Sequence, residues 1–222
     1  MEALTLILKD TTLTNKIIGM KTHSLFLISI VMIACSSTKT VVLEKYSKEI
    51  VFIDKTDEYY ENGNLRKCKL SDTAAIEGFC CISWLHLYEN GSIKQFRTTK
   101  DIEQPTYIIP SGSVIFPIEK DIHHFKCVRF SKDVNIDSVL CKGGNEVEVN
   151  FYPNGKIESC FLSKNQTIHG FPCKSSLLKP VRFYQDGKVK ELTLSKDYEL
   201  QGTLFQAGST VTLDANGTIS KI

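Results

Sequence analysis

The chain has 222 residues, of which 42% are hydrophobic and 23% charged, and its net charge is +2. This is the composition of a globular protein long enough to bury a core, and it gives no sign of the clustered basic face that nucleic-acid binding needs. Eight cysteines indicate disulfides if the chain is exported, and metal or redox chemistry if it is not.

The N-terminal segment has the parts of a secretory signal. A basic start at residues 20–23 is followed by an apolar run over residues 24–33, and the run ends in Ala34-Cys35. The run is shorter than the roughly 20 residues that span a bilayer. We therefore predict that residues 1–34 are a signal segment and that its true start is Met20. The alternative is a longer, uncleaved anchor helix over residues 4–33, which Lys16 and Lys21 interrupt.

The end of this segment resembles a known motif of bacterial export. Residues 32–35, Met-Ile-Ala-Cys, resemble the lipobox of bacterial lipoproteins, in which the cysteine thiol receives a diacylglyceryl group and becomes the new N-terminus. The resemblance implies a lipid on Cys35 and attachment to a membrane of the bacterial cell envelope, with the outer membrane as the expected one. Residues 36–40 are small and polar, so we expect residues 35–55 to be a lipid-anchored tether that can add a first strand.

The rest of the chain contains an internal repeat marked by turn dipeptides. Successive glycines of these dipeptides lie 28, 64, 32 and 30 residues apart, so one turn has been lost in the long interval, near residues 119–121. The dipeptides are Asn62-Gly63, Asn90-Gly91, Asn154-Gly155, Asp186-Gly187 and Asn216-Gly217.

Apolar and polar residues alternate on both sides of each dipeptide, which is typical of β-strands. Asn-Gly and Asp-Gly favour type I′ hairpin turns, because both central residues of such a turn need a positive φ. A Ser-x-Asp or Ser-x-Asn stretch, as in Ser163-Lys164-Asn165, then bends the chain again through side-chain bonds to the backbone. Each unit is thus predicted to be strand, turn, strand, turn, strand.

Five such units, with the last hairpin as a cap, fill residues 56–222. Units 1, 2, 4 and 5 carry the first four dipeptides, unit 3 carries the lost turn, and the cap hairpin carries the fifth dipeptide. A single hairpin is marginally stable in water, so the units must stack and share a core. We predict an all-β fold, an elongated antiparallel β-hairpin repeat array that forms a meander or an open roll.

Two units carry a further resemblance. Residues 58–65, Glu-Tyr-Tyr-Glu-Asn-Gly-Asn-Leu, and residues 150–157, Asn-Phe-Tyr-Pro-Asn-Gly-Lys-Ile, resemble the Tyr-x-x-Asn-Gly-x-Leu repeats of MORN-like and YwqK-type proteins. The resemblance implies stacked β-hairpins. Some of those proteins are described as antitoxin-like, a cytosolic role that the export signal argues against.

Six cysteines recur at fixed places in the units. Positions five and eighteen residues after the turn glycine are either both cysteine or both apolar, as with Phe96 and Ile109 in unit 2. The joint presence predicts within-unit bridges, each of which stabilises the fold by about 3 kcal/mol in the chain-entropy estimate. The predicted pairs are Cys68–Cys81, Cys127–Cys141 and Cys160–Cys173. Cys80 is left over, as a free thiol, an intermolecular bridge or the true partner in place of Cys81.

The sequence favours a binding role over catalysis. Cys80-Cys81 with His86, or His123-His124 with Cys127, is a rival zinc hypothesis, but structural zinc sites use Cys-x-x-Cys pairs, which are absent from the sequence. No nucleophile-elbow, metalloprotease or nucleotide-binding motif occurs, so we expect no catalytic residue, metal or cofactor. A repeat array presents long faces suited to a protein or glycan partner, and a purely structural envelope role is the alternative.

Paired aromatic residues recur beside the turns, and one of each pair is expected to fill the core. An exposed row of tryptophan or tyrosine would favour binding, and its absence would favour the structural role. These aromatic residues are Tyr59, Tyr60, Trp84, Tyr88, Phe151, Tyr152, Phe183 and Tyr184.

Overall fold

The structure is a computed structural model, and it describes residues 37–144 and 147–221. The predicted signal segment and the predicted lipid site, Cys35, lie outside these residues. In the described part of the chain, no helix has the length and apolarity needed to cross a membrane.

Almost all regular structure in the described residues is β-strand. In the first half of the chain the elements are β1 (Thr38–Leu43), the 3-10 turn η1 (Glu44–Tyr46), β2 (Lys48–Ile53), β3 (Glu58–Tyr59), β4 (Leu65–Lys69), β5 (Ala74–Ile76), β6 (Phe79–Leu87), β7 (Ile93–Thr98), β8 (Ile102–Glu103), β9 (Ile108–Ile109), β10 (Val114–Ile118) and β11 (Asp121–Arg129). In the second half they are β12 (Val134–Ile136), β13 (Val139–Cys141), β14 (Val149–Phe151), β15 (Ile157–Cys160), β16 (Gln166–Ile168), β17 (Phe171–Cys173), β18 (Val181–Phe183), β19 (Val189–Thr193), β20 (Tyr198–Leu200), β21 (Thr203–Phe205), β22 (Thr210–Leu213) and β23 (Ile219–Lys221).

Thirteen strands form one antiparallel meander. The order is β23-β22-β19-β18-β15-β14-β11-β10-β7-β6-β4-β3, with β5 paired to the first part of β6, and the sheet is not closed into a barrel. The lost turn of unit 3 lies where the repeat period placed it, because Ile118 of β10 pairs with Asp121 of β11. The predicted all-β array of stacked antiparallel hairpins is therefore confirmed.

Short hairpins form the second part of each unit. They are β5 with β6, β8–β9, β12–β13, β16–β17 and β20–β21, and their buried residues join those of the meander in one hydrophobic cluster. Ile76, Ile136 and Ile168 enter this core from the short hairpins, while Leu85 and Val128 enter it from the meander. The core thus lies between the meander and the short hairpins.

The first strand expected in residues 35–55 is a complete hairpin, β1–β2, and it continues the repeat. Phe52 bridges to Leu70 in the same way that Cys141 bridges to Leu162 and Cys173 bridges to Leu194. The β1–β2 hairpin therefore takes the place of a short hairpin before unit 1 and caps the core at this end.

The Asn-Gly turns are not of the predicted type I′. Around Asn154-Gly155 the N–H of Gly155 donates to the carbonyl of Tyr152 (2.9 Å), and the N–H of Tyr152 donates to the carbonyl of Lys156 (2.8 Å). In this turn only the glycine has a positive φ, and a register shift follows it. The asparagine instead accepts the N–H of Lys156 with its side chain (3.1 Å). This is a type I turn closed by a glycine bulge, in which one left-handed residue suffices.

The type I′ turns lie at the tips of the short hairpins, which the sequence analysis missed. Two successive residues with positive φ occur at Glu77-Gly78, Asp137-Ser138, His169-Gly170 and Gln201-Gly202. The glycines after the Ser-x-Asp stretches had been noticed but not interpreted as turns. Each of these units therefore contains four strands and not three.

A carboxylate or amide braces the corner where the chain leaves the meander. Asp101, Asp133, Asn165 and Asp197 each accept the backbone N–H of the residue ten positions later, at 2.7–2.8 Å. These bonds differ from the local ones that the Ser-x-Asp and Ser-x-Asn stretches predict, because the bonded N–H lies ten residues away, on the far side of the short hairpin. We call the end of the strands with these bends the corner end. The opposite end, with the Asn-Gly and Asp-Gly dipeptides and residues 119–121, is the turn end.

Candidate functional site

The paired aromatic residues beside the turns support the fold. Phe151 and Phe183 are buried in the core, while the next residue in each case, Tyr152 or Tyr184, is half-buried at the turn end. The hydroxyl of Tyr152 donates to the carbonyl of Phe183 (2.9 Å), and Tyr184 donates to the carbonyl of Leu213 (2.7 Å). Tyr60 makes the same bond to Leu87 (2.9 Å). These tyrosines tie units 1, 4 and 5 to the hairpin that follows each of them.

In the described residues, exposed tryptophan and tyrosine side chains occur only in unit 1. Trp84 is 39% exposed and Tyr59 is 49% exposed. The ammonium group of Lys67 lies 5.4 Å from the centre of the Trp84 ring. The centre of the His86 ring is 6.4 Å from that of Trp84, and burial lowers the pKa of His86. These exposed side chains form no row along the array, which by itself favours the structural role over binding through such a row.

Six of the seven cysteines in the described residues are buried, Cys80 is half-buried, and none of the seven is disulfide-bonded. Burial raises the pKa of the thiols of Cys68, Cys81 and Cys127 to about 12 and that of Cys173 to about 11. Such thiols stay protonated near neutral pH and pack as small apolar groups.

The contact between thiols differs from the predicted pairing. The thiol of Cys141 is in near-contact with that of Cys160, and this neighbour, together with burial, raises the pKa of Cys141 well above the usual range. The pair Cys68–Cys81 stays a prediction. For Cys141 and Cys160, the structure adds a cross-unit pair that competes with the predicted pairs Cys127–Cys141 and Cys160–Cys173.

A concave surface lies at the turn end of units 2–4. A cavity of about 340 Å³ opens between the tip of the β8–β9 hairpin and the turn of unit 4. It is lined by Gln104, Pro105, Thr106, Tyr107, His123, His124, Phe125, Asp137, Phe151, Asn154, Gly155 and Lys156.

The floor of this cavity is aromatic. Tyr107 stacks on Phe151 with ring centres 5.9 Å apart and planes 4° apart, and its edge meets Phe130 at 6.1 Å. Burial raises the pKa of Tyr107, so its hydroxyl stays protonated and can donate a hydrogen bond. Phe125 adds a buried ring. An aromatic floor of this kind packs against the apolar face of a ligand.

The rim of the cavity is polar. Nδ1 of His124 lies 2.6 Å from the Asp121 carboxylate, which also accepts the N–H of His123 (2.9 Å). The bond from the His123 N–H has the larger influence, and together with the contact to His124 it lowers the pKa of Asp121. His123, Gln104 and Asn154 line the opening with exposed or half-exposed side chains. The rim thus offers both donors and acceptors around an aromatic floor.

A second cavity continues the first toward unit 5. It measures about 390 Å³ and shares Asp137 and Lys156 with the first cavity. Nζ of Lys156 lies 3.2 Å from the Asp137 carboxylate. His169, Asp186 and Lys188 are among the residues on the far side. The two cavities form one groove along the turn end, with the ion pair between them.

The groove lies where the repeat is broken. In unit 5 the tip residue Gln201 reaches across to the cap hairpin and donates to the carbonyl of Gly217 (3.3 Å). In unit 2 the tip is instead the longer stretch over residues 104–107, and the neighbouring turn of unit 3 has lost its Asn-Gly dipeptide. Both departures meet at the first cavity. Broken local rules are expected at functional positions.

The sequence analysis did not identify this site. The sequence pointed to His123 and His124 only as zinc ligands with Cys127, to Asn154 and Gly155 only as a turn, and to Phe151 only as a recurring aromatic residue. The lost turn was only a gap in the period. Tyr107, Gln104 and Lys156 were missed. A signal for them was present, since residues 104–107, Gln-Pro-Thr-Tyr, stand where most other units have an x-Gly tip. In the described residues no group of three or more histidine, cysteine or acidic side chains is arranged to hold a metal ion.

Comparison with known proteins finds no matching family model, no significantly similar curated protein and no significantly similar solved structure.

Proposed function

We propose that this chain is a lipid-anchored binding protein of the bacterial cell envelope, and that the groove binds a short, polar glycan. The observation that carries the proposal is the groove itself, in which an aromatic floor and a polar rim meet where two departures from the repeat coincide. A single cavity of about 340 Å³ is in the usual range for a small-molecule site, roughly 300–1000 Å³.

The strand pairing favours a glycan over an extended peptide. A peptide that adds to a sheet needs a free strand edge, where backbone N–H and C=O groups are unpaired. Beside the groove, β14 is paired with both β11 and β15. β11 is paired with β10 and, at Cys127 and Val128, with β14, which leaves only the short stretch over residues 123–125 without a partner strand on that side. Recognition there therefore relies mainly on side chains. Hydroxyl groups of a sugar suit the amide, imidazole and carboxylate groups of the rim.

Binding can be tested on a glycan array with the full-length chain and two groove variants, Gln104→Ala and Lys156→Ala. We expect the parent chain to retain one class of glycan and both variants to bind it at least about tenfold more weakly, as when hydrogen bonds to a ligand are lost. Gln201→Ala is the matched control, because it removes an amide at a hairpin tip outside the groove. Equal binding by parent and groove variants would refute the site, and no retention of any glycan would favour the purely structural role.

The anchor is tested separately. If Cys35 carries the lipid, mass spectrometry of the membrane-bound protein gives a diacylated N-terminal cysteine and no residues 1–34. Cys35→Ala should then release the protein from membranes or leave the signal uncleaved. Replacing Met20 with Ala should remove most export if translation starts there. A soluble parent protein that keeps residues 1–34 would refute this part of the proposal and leave the groove unaffected.

A further inference from the structure

The loop over residues 174–180, which we call the leucine loop, exposes two adjacent leucines at the corner end. Leu177 is 61% exposed and Leu178 is 90% exposed. Single exposed leucines are ordinary on protein surfaces, but two neighbours at the tip of one loop form a concentrated apolar point. Exposed lysines, Lys174 and Lys179, lie on either side of them.

The loop is held in a defined conformation by its own serines. The hydroxyl of Ser176 accepts the N–H groups of Leu178 (3.1 Å) and Lys179 (3.2 Å). The hydroxyl of Ser175 donates to the carbonyl of Leu162 (2.7 Å) and fixes the loop to the corner of unit 4. The leucines are therefore presented in a fixed position, which reduces the entropy lost when they become buried.

The leucines, and not its length, set the leucine loop apart from the equivalent connections. These have four residues in unit 2 (110–113) and unit 5 (206–209), and seven in unit 3 (142–148) and in unit 4, where residues 174–180 form the leucine loop. None of the other three connections contains a leucine. The core does not need a long connection, since the four-residue ones join equivalent strands.

The corner end also carries a regular row of lysines. Lys100, Lys132, Lys164 and Lys196 follow one another at intervals of 32 residues, and all four are exposed. In the described part of the chain none of them belongs to an ion pair. The aspartates beside three of them each direct a carboxylate oxygen to a backbone N–H across the corner. The lysine ammonium groups are left facing solvent.

We propose that the corner end is a membrane-contact surface, in which Leu177 and Leu178 enter an anionic lipid layer and the lysines meet its headgroups. Apolar side chains flanked by lysine are the composition that binds at such an interface, and the negative surface potential of anionic lipid supplies the complementary charge. The loop protrudes from the strands and borders none of the cavities described above, so a flat, deformable surface fits it better than a rigid partner. The proposal does not depend on what the groove binds.

Depth-dependent fluorescence quenching tests the contact on the full-length chain. The native tryptophan is replaced by Trp84→Phe, and a single probe is introduced by Leu178→Trp or, as the control, by Leu204→Trp. Leu204 is also exposed, at 67%, but it follows a hairpin tip at the turn end. Both proteins are reconstituted into vesicles of phosphatidylglycerol and phosphatidylcholine that carry bromine on the acyl chains.

We expect a blue shift and strong quenching of the probe at position 178, with little of either at position 204. Adding Lys174→Ser and Lys179→Ser, or using phosphatidylcholine alone, should reduce the quenching at 178. Equal quenching at the two positions would overturn the proposal. A blue shift at 178 that appears without vesicles and grows with protein concentration would also overturn it, and would assign the loop to contact with a second copy.

Discussion

The thiols of Cys141 and Cys160 are in near-contact in the core, although Cys141 ends the short hairpin of unit 3 and Cys160 ends a meander strand of unit 4. A disulfide requires two cysteines whose side chains already approach each other. The contact therefore favours a bridge between neighbouring units over the bridges Cys127–Cys141 and Cys160–Cys173 that the repeat spacing predicts.

We predict that oxidation links Cys141 to Cys160 first when dilute urea and mildly alkaline pH let the core open, because both thiols are fully buried in the folded chain. In exchange with a small disulfide such as oxidised glutathione, one protein thiolate forms a mixed disulfide and the second displaces the other glutathione, so that two reduced glutathione molecules leave. Peptide mapping without reduction gives the linkage. Cys160→Ser should abolish it, and Cys173→Ser should leave it intact. A Cys160–Cys173 peptide as the first product would restore the within-unit pairing.

A second prediction concerns the bonds between the turn tyrosines and the next unit. Tyr152→Phe removes only the hydroxyl that donates to Phe183 and should lower the free energy of unfolding by about 0.5–1.5 kcal/mol. Urea unfolding measures this value. Tyr88 is the matched control, because in the described residues its hydroxyl makes no such bond. If Tyr88→Phe costs as much as Tyr152→Phe, the hydrogen bond is not the cause.

The sequence predicted those parts of the fold that local signals encode. Glycine spacing and two-residue alternation located the meander strands, and the period placed the lost turn at residues 119–121. The short hairpins were missed because their turns carry weak signals, such as Asp137-Ser138, which has no glycine.

The groove and the thiol contact could not be predicted in the same way. Tyr107 and Phe151 are separated by more than one repeat, and Cys141 meets Cys160 only because neighbouring units stack. Such contacts depend on how units pack, and this information is not present in the spacing within one unit.

The hairpin tips provide a third prediction. Ser138 has a φ of +69°, where Gly170 occupies the same place in unit 4 with a φ of +87°. A residue with a β-carbon is destabilised by about 1–2 kcal/mol in this conformation, and glycine is not. Glycine also gives the unfolded chain more conformational entropy, which offsets part of this advantage. Ser138→Gly should therefore raise the free energy of unfolding by about 0.5 kcal/mol, and Gly170→Ser should lower it by about 1 kcal/mol. Urea unfolding measures both values. A loss of stability in Ser138→Gly, or a gain in Gly170→Ser, would show that the positive φ at the hairpin tips does not determine these changes.

The last prediction follows from the corner brace of unit 3. The Asp133 carboxylate accepts hydrogen bonds from the N–H of Gly143 (2.8 Å) and from the hydroxyl of Ser163. The bond from Gly143 has the larger influence, and both bonds lower the pKa of Asp133. Gly143 is required there because a β-carbon would lie 2.0 Å from the carbonyl oxygen of Lys132. A carboxyl group whose pKa is lower in the folded state stabilises that state above its unfolded pKa, about 3.9, and loses this effect as the pH falls through the folded pKa.

Asp133→Asn installs the residue that unit 4 uses at the same place, Asn165, which can still accept a backbone N–H. The variant should be less stable than the parent at pH 7 by at most about 1 kcal/mol, because solvent screens an exposed carboxylate. The difference should shrink as the pH falls below about 4. The reciprocal change Asn165→Asp should stabilise the chain above the same pH and not below it. Urea unfolding at pH 7, 5 and 3 measures both, and a difference between parent and Asp133→Asn that persists unchanged at pH 3 would rule out the charge of Asp133 as its source.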